Sequence, residues 1–283
     1  MEYVTLNNGK KMPIVGFGVF QIEDSAECEK AVYDAISVGY RSINTAQAYH
    51  NEEAVGNGIA QAISDGIVRR EDLFITTKVW VTEFSYEKAK ASILQSLKKL
   101  QIDYLDLCLL HQCLSDYYSA YHAMTELYQA GKIKALGVSN FSAERMADMC
   151  VFNEVKPAVN QVETHLFWQQ YKLHEWMDKY DVRHEAWGPL AQHRVKEVAA
   201  DPKLMEIGRK YGKTATQVFL RSLVQRGIAF IPKSTHIERM KENIDLFDFS
   251  LTDNEMSIIK TYDEHKSMWA EYDDPNIVEY AMS

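Results

Sequence analysis

Leu73-Phe-Ile-Thr-Thr-Lys-Val-Trp80 is a run of β-branched and aromatic side chains that ends on a lysine and a tryptophan. It reads as a strand with chemistry at its C-terminal end. Immediately downstream, over 86–100, Ala89, Ile93, Leu97 and Leu100 recur at spacings of three and four, with Lys and Gln on the opposite face. That pattern predicts an amphipathic helix whose apolar stripe covers a sheet. A second β-rich run, 104–111, follows and ends on His111.

The same unit repeats in both directions. Strands are predicted at 14–20 and 42–46 before it, and at 133–140, 158–164, 183–189 and 229–234 after it. Eight strands about thirty residues apart, each separated by a helical stretch, imply parallel strands joined by right-handed crossovers. Their apolar character suits a sheet covered on both faces. Helix starts are marked by Ser25 before an acid-rich turn, by Asp201-Pro202, and by Thr235 to Glu238 with capping-box spacing.

A doubly wound open sheet and a closed barrel both satisfy this rhythm. The placement of reactive residues separates them. Asn44 and Tyr49 follow the second strand, Lys78 and Trp80 end the third, and His111 ends the fourth. Ser139 and Asn140 end the fifth, Gln161 lies in the sixth, Trp187 near the end of the seventh, and Lys233 and Ser234 close the eighth. An open sheet concentrates its site between two strands, whereas a barrel collects residues from nearly all of them at one mouth. The fold class is therefore α/β, a (β/α)8 TIM barrel. The opening TLNNGKKMPIV, 5–15, places Asn-Asn-Gly between short β-prone pieces and predicts an N-terminal hairpin capping the barrel floor.

Bulk properties agree. A chain of 283 residues that is 46% hydrophobic has room for one barrel domain over 1–283, since such barrels take roughly 250 residues. No Gly/Ser-rich or Pro-rich linker divides it. A net charge of -9 supplies no basic field for a nucleic acid. Cys28, Cys108, Cys113 and Cys150 form no C-x-x-C pair and read as ordinary reduced residues. Neither a secretion signal nor an apolar run of about eighteen residues is present, so a cytoplasmic protein that does not enter membranes is expected, with a monomer as the default.

In chain order, NTAQAYHNE, ITTKVW, LLHQ, GVSNF, NQVE, AWGPL and IPKS followed by ERMKEN resemble the aldo-keto reductase superfamily. The resemblance runs from about residue 5 to about residue 265 and leaves the tail from Met268 unmatched. It implies a catalytic group at Tyr49, Lys78, His111 and position 44, where the family has Asp and this chain has Asn44. It also implies reduction of an aldehyde or ketone by NADPH. Hydride arriving at a carbonyl carbon leaves negative charge on oxygen, which needs an acid within reach. Tyr49 is the expected proton donor, Lys78 the cation that lowers its pKa, and His111 the donor that orients the carbonyl. Asn44 keeps a hydrogen bond but supplies no charge, so slower turnover than in an Asp-bearing relative is expected. His50 stands where the family usually has Gly.

For the cofactor, the resemblance assigns Ser139, Asn140 and Gln161 to the nicotinamide carboxamide and Trp187 to stacking on its ring. Lys233, Ser234 and Arg239 fall to the adenosine 2′-phosphate and Asn243 to adenine. The segment 231–243 also has the chemistry of an anion site, a cation and a hydroxyl before a helix start. Gly16-Phe-Gly18 lacks the third glycine of a dinucleotide loop and reads as a tight turn at the barrel mouth. Phe20, Trp80, His111 and Trp269 are the candidate substrate pocket. His122, His165, His174 and His184 show no ligand spacing, so no metal is expected and exposed positions are assigned to them. Two other functions fit the residues: an NADP(H)-binding protein with weak or no turnover because of Asn44, and a barrel aldolase or isomerase with Lys78 as Schiff-base nucleophile.

Overall fold

The structure is a computed structural model, and it describes residues 2–269 and 275–281. The short strands β1 (Tyr3–Thr5) and β2 (Lys11–Pro13) form an antiparallel hairpin. The barrel follows with β3 (Phe17–Gly18), β4 (Ser42–Asn44), β5 (Phe74–Val79), β6 (Leu107–Leu110), β7 (Leu136–Ser139), β8 (Val159–Glu163), β9 (Arg183–Trp187) and β10 (Ala229–Phe230). All eight are parallel and adjacent in chain order. The sheet closes where Val15 bridges to Phe230, with Gly16 N–H donating to Phe230 O and Phe230 N–H to Ile14 O.

Between the strands run α1 (Ser25–Ser37), α2 (Glu52–Ser64), α3 (Tyr86–Lys99), α4 (Tyr117–Gln129), α5 (Ala143–Phe152) and α6 (Tyr171–Tyr180). The connection from β9 to β10 is longer and holds α7 (Val195–Ala199), α8 (Pro202–Tyr211) and α9 (Ala215–Gln225). After β10 come α10 (Ile237–Ile244), α11 (Asp253–Lys260) and α12 (Asn276–Tyr280). None of the described helices is long and apolar enough to cross a membrane.

The strands read as continuous apolar runs because both their faces are covered. All four residues of β6, Leu-Cys-Leu-Leu, are buried. In α3 the buried residues include Ala89, Ile93 and Leu97, as the periodicity predicts. The hairpin crosses the N-terminal ends of the strands: Asn7 Nδ2 donates to Pro157 O, Asn8 Nδ2 to Lys134 O, and Arg183 Nε to Thr5 O. Those partners precede or begin β8, β7 and β9, so the hairpin lies against the floor and the mouth is left open.

Three local expectations change. The cap of α1 is Asp24, one residue before Ser25, and it accepts from Glu27 N–H. Thr235 and Glu238 form no capping box; α10 starts after His236 without a side-chain cap. Gly16-Phe-Gly18 is part of the first barrel strand and makes no turn. Its glycines allow the closing strands to approach, since a Cβ on Gly16 would lie 3.0 Å from Ile231 Cγ2 and one on Gly18 3.1 Å from Ile231 O. The Asp201-Pro202 start holds, with Asp201 accepting from Leu204 N–H.

Candidate active site

The C-terminal ends of the barrel strands open into one cleft of about 1520 Å³. Lys78 lies beneath it near the end of β5 with 0% exposure. Its Nζ donates to Asn44 Oδ1 at 2.6 Å, to Thr45 O at 3.0 Å and to Tyr49 OH at 3.2 Å. Asn44 ends β4, and Tyr49 lies in the single 3-10 turn that follows, Gln47–Tyr49. The short connection thus returns the phenol over the lysine, with Gln47 pinned by the Trp80 N–H to its Oε1.

Electrostatics in this cradle are set by burial. Loss of water pushes Lys78 down from the ordinary lysine value, against the opposing pull of the Glu185 carboxylate. Burial pushes the Tyr49 hydroxyl up, so the phenol holds its proton. The net lowering expected from the lysine is therefore outweighed by burial in the resting site. His111 is held well below the ordinary histidine value by burial and by Lys78, and is neutral. Two buried polar atoms at the base of the cleft have no partner: Asn44 Nδ2 and His111 Nδ1. Such groups are costly unless something pairs with them.

Aromatic rings wall this end. Phe20 lies 4.9 Å from Tyr49, His111 lies 5.6 Å from Tyr49, and Trp80 lies 4.9 Å from His111, measured between ring centroids. Trp269 closes the group at 5.7 Å from Phe20 and 6.3 Å from Trp187. Its backbone is positioned by Glu163, which accepts from Met268 N–H at 2.9 Å and from Ser267 Oγ, while His165 Nε2 lies 2.9 Å from the same carboxylate. Glu163 belongs to the NQVE motif, and its role was hidden because its partners are about one hundred residues away. His165 and His184 are buried, the latter 2.7 Å from Thr164 Oγ1, which corrects their assignment to exposed positions.

Further along, Ser139, Asn140, Gln161 and Trp187 line the same cleft. Asn140 adopts a left-handed backbone, φ 62°, which asparagine tolerates. It accepts from Trp187 Nε1 at 2.9 Å and donates to His111 O, tying the indole to the histidine. At the distal end Lys233 and Arg239 are exposed, whereas Ser234 and Asn243 are buried. Neither cation forms an ion pair among the described residues. Ser234 Oγ accepts from His236 N–H, and the first turn of α10 begins without a side-chain acceptor. His50 is exposed at the rim with φ 54°, a left-handed conformation that accounts for glycine at this place in the family.

All the candidate residues except enclosed Lys78 line this one cleft. Sequence reasoning missed the strap after β9, where Gln192, His193 and Lys196 also border it. The signals available were Gly188-Pro189 and the run of left-handed backbone at Gly188, Ala191 and Gln192. Arg194 anchors the strap, bonded to both Glu197 and Glu264 with its guanidinium 3.4 Å from the Phe167 ring centroid.

A TIM barrel with a buried lysine and a tyrosine at its mouth, and cations at the far end of the cleft, defines the class to which comparison with known proteins can be fitted. The sequence profile of the aldo/keto reductase family matches residues 15–264. The glyoxal reductase of Bacillus subtilis (strain 168) is 42% identical over 259 residues, 91% of each chain. The methylglyoxal reductase DkgA of Escherichia coli (strain K12) is 39% identical over 94% of each. Among solved structures, an aldo-keto reductase of Bombyx mori in complex with NADP superposes with a TM-score of 0.91 at 33% identity, covering 98% of this chain and 96% of that one. The chain belongs to the aldo/keto reductase family and is an oxidoreductase.

Proposed function

We propose that this protein reduces small aldehydes and ketones with NADPH, and that Tyr49 delivers the proton. The observation that carries the reading is the Lys78 Nζ to Tyr49 OH hydrogen bond of 3.2 Å, at the base of a cleft whose other end offers two cations without an ion pair among the described residues. The fit of the cofactor rests on this chain's own groups. Asn44 Nδ2 is an unpartnered donor suited to a ribose hydroxyl, Trp187 offers a ring face, and Lys233, Arg239 and the open first turn of α10 suit a 2′-phosphate. The complex of the Bombyx mori relative with NADP points the same way.

When bound, NADPH supplies hydride to the carbonyl carbon. Negative charge then grows on the carbonyl oxygen, and the Tyr49 O–H transfers its proton there. The Lys78 ammonium donates to the phenolate oxygen left behind. His111, being neutral, carries one ring N–H to orient the carbonyl. Phe20, Trp80 and Trp269 exclude water from the reacting carbon. The names of two relatives, glyoxal reductase and methylglyoxal reductase, favour small dicarbonyls as substrates.

An NADP(H)-binding protein with little turnover is the second reading, favoured by the amide at position 44. The aldolase reading loses ground because Lys78 is fully enclosed and all its contacts are made inside the protein. Titration of NADPH fluorescence together with NADPH oxidation against glyoxal, methylglyoxal and aromatic aldehydes distinguishes them. Binding with oxidation supports the reductase, binding alone the non-turnover protein, and borohydride trapping on Lys78 the aldolase.

A further inference from the structure

The barrel interior holds one ionisable group for which the proposed reaction has no use. Glu185, in the middle of β9, is 2% exposed. It sits in register with Gln161 of β8, whose Nε2 donates to Glu185 Oε2 at 2.7 Å. Glu185 forms no ion pair among the described residues, so a buried carboxylate is left with one neutral hydrogen-bond donor.

Lys78 presents the converse problem. Its three acceptors, Asn44 Oδ1, Thr45 O and Tyr49 OH, are all neutral. An enclosed ammonium without an anion tends to lose its proton. The neighbouring titratable groups do not supply the charge. Tyr49 is kept protonated by burial, and His111 is neutral. Glu52, the other buried carboxylate next to β5, faces α2, where it accepts from Thr77 Oγ1 at 2.7 Å and lies 3.9 Å from Lys99. Glu163 is engaged by His165, Ser267 and Met268 at the other side of the mouth. Lys78 is on the third barrel strand and Glu185 on the seventh, and in such barrels side chains from alternate strands share an interior layer.

We propose that Glu185 is the counter-charge of Lys78, a positioning residue that holds the buried lysine in its cationic form across the barrel interior where position 44 carries an amide. The proposal rests on the reading of Lys78 as part of the reductase site. The direction of each group's perturbation agrees: the Glu185 carboxylate pulls Lys78 up against burial, and Lys78 pulls Glu185 down against burial. A second consequence follows for Gln161. With Nε2 committed to Glu185, its Oε1 is left to accept from a carboxamide in the cleft.

The test is a cycle of Glu185→Gln, Asn44→Asp and the double variant. Glutamine keeps the volume of the side chain and its hydrogen bond to Gln161 while removing the charge. In protein labelled with [ε-13C]lysine, with the Lys78 signal assigned through Lys78→Arg, the Lys78 titration midpoint is expected to fall by about one pH unit or more in Glu185→Gln. It should return towards the parent value in the double variant, where the introduced aspartate supplies the anion. The alkaline limb of kcat should move with it, and kcat at neutral pH should drop about tenfold in Glu185→Gln but less than about threefold when the same change is made on Asn44→Asp. If Glu185→Gln folds only when combined with Asn44→Asp, the compensation is demonstrated by that rescue. A midpoint unmoved by Glu185→Gln overturns the proposal. Because the midpoint is read without cofactor, a shifted midpoint in a protein that oxidises no NADPH would keep the counter-charge and reject the reductase reading.

Discussion

Lys78 and Lys233 belong to one cleft and are in opposite physical states. Lys78 is fully buried, fixed by three hydrogen bonds, and depressed in pKa by loss of water. Lys233 is exposed beside a helix start and has no ion-pair partner among the described residues. The first can alter the acidity of a neighbour, because charge acts strongly where water is excluded. The second can attract an anion but is screened by salt. Chemistry and cofactor affinity are therefore expected to separate between the two ends of the cleft.

Tyr49→Phe should pull the two ends apart most clearly. Removal of the proton donor should reduce turnover by roughly 10²–10⁴-fold, the range for a lost general acid, while NADPH affinity measured by fluorescence stays within about twofold of the parent. A proportional loss of both would mean that the two ends are not separable. At the other end, Lys233→Ala and Arg239→Ala should each weaken NADPH binding by about tenfold and leave kcat unchanged, as expected for a charge-assisted contact to phosphate. NADH binding should be insensitive, and raising salt should erode the parent's preference for NADPH towards that of the variants. Equal losses for NADH and NADPH would remove the 2′-phosphate from this end of the cleft.

Protonation distinguishes the two lysines as well. Turnover requires Lys78 as a cation, and its pKa lies below the ordinary lysine value. The rate therefore falls as pH rises through that depressed pKa, at lower pH than an unperturbed lysine would give. Asn44→Asp adds a carboxylate beside Nζ, raises the lysine pKa and should move the limb upward. A pH profile of kcat for both proteins checks the sign. A still smaller change is expected from Trp269→Ala, about a threefold rise in KM for aromatic aldehydes with little change for methylglyoxal, since one ring is removed from a wall shared with Phe20 and Trp80.

How far these features were legible in the sequence depended on the range of the interactions behind them. The barrel was readable because each strand and helix carries its own periodicity, and because residues at successive strand ends point to a single mouth. The cradle was readable through Asn44, Tyr49 and Lys78, which the strand pattern and the family motifs place together. What was not readable arises from contacts distant in sequence. Gly16 and Gly18 resemble a turn until β10 is seen to close on β3. The part played by Glu163 depends on residues 267 and 268, and that of Glu185 on a lysine across the barrel. The failed cap at Thr235 has a local cause: the backbone at His236 is held by Ser234 Oγ, so the helix begins one residue later than the spacing suggests.

A nearly complete reductase site limited by the amide at position 44 stands or falls on the rate of NADPH oxidation with methylglyoxal before and after Asn44→Asp. The carboxylate should raise kcat by about tenfold, the scale of one charged hydrogen bond in place of a neutral one, with NADPH affinity nearly unchanged. An unchanged rate in a folded, cofactor-binding variant would show that the amide is not what limits the site.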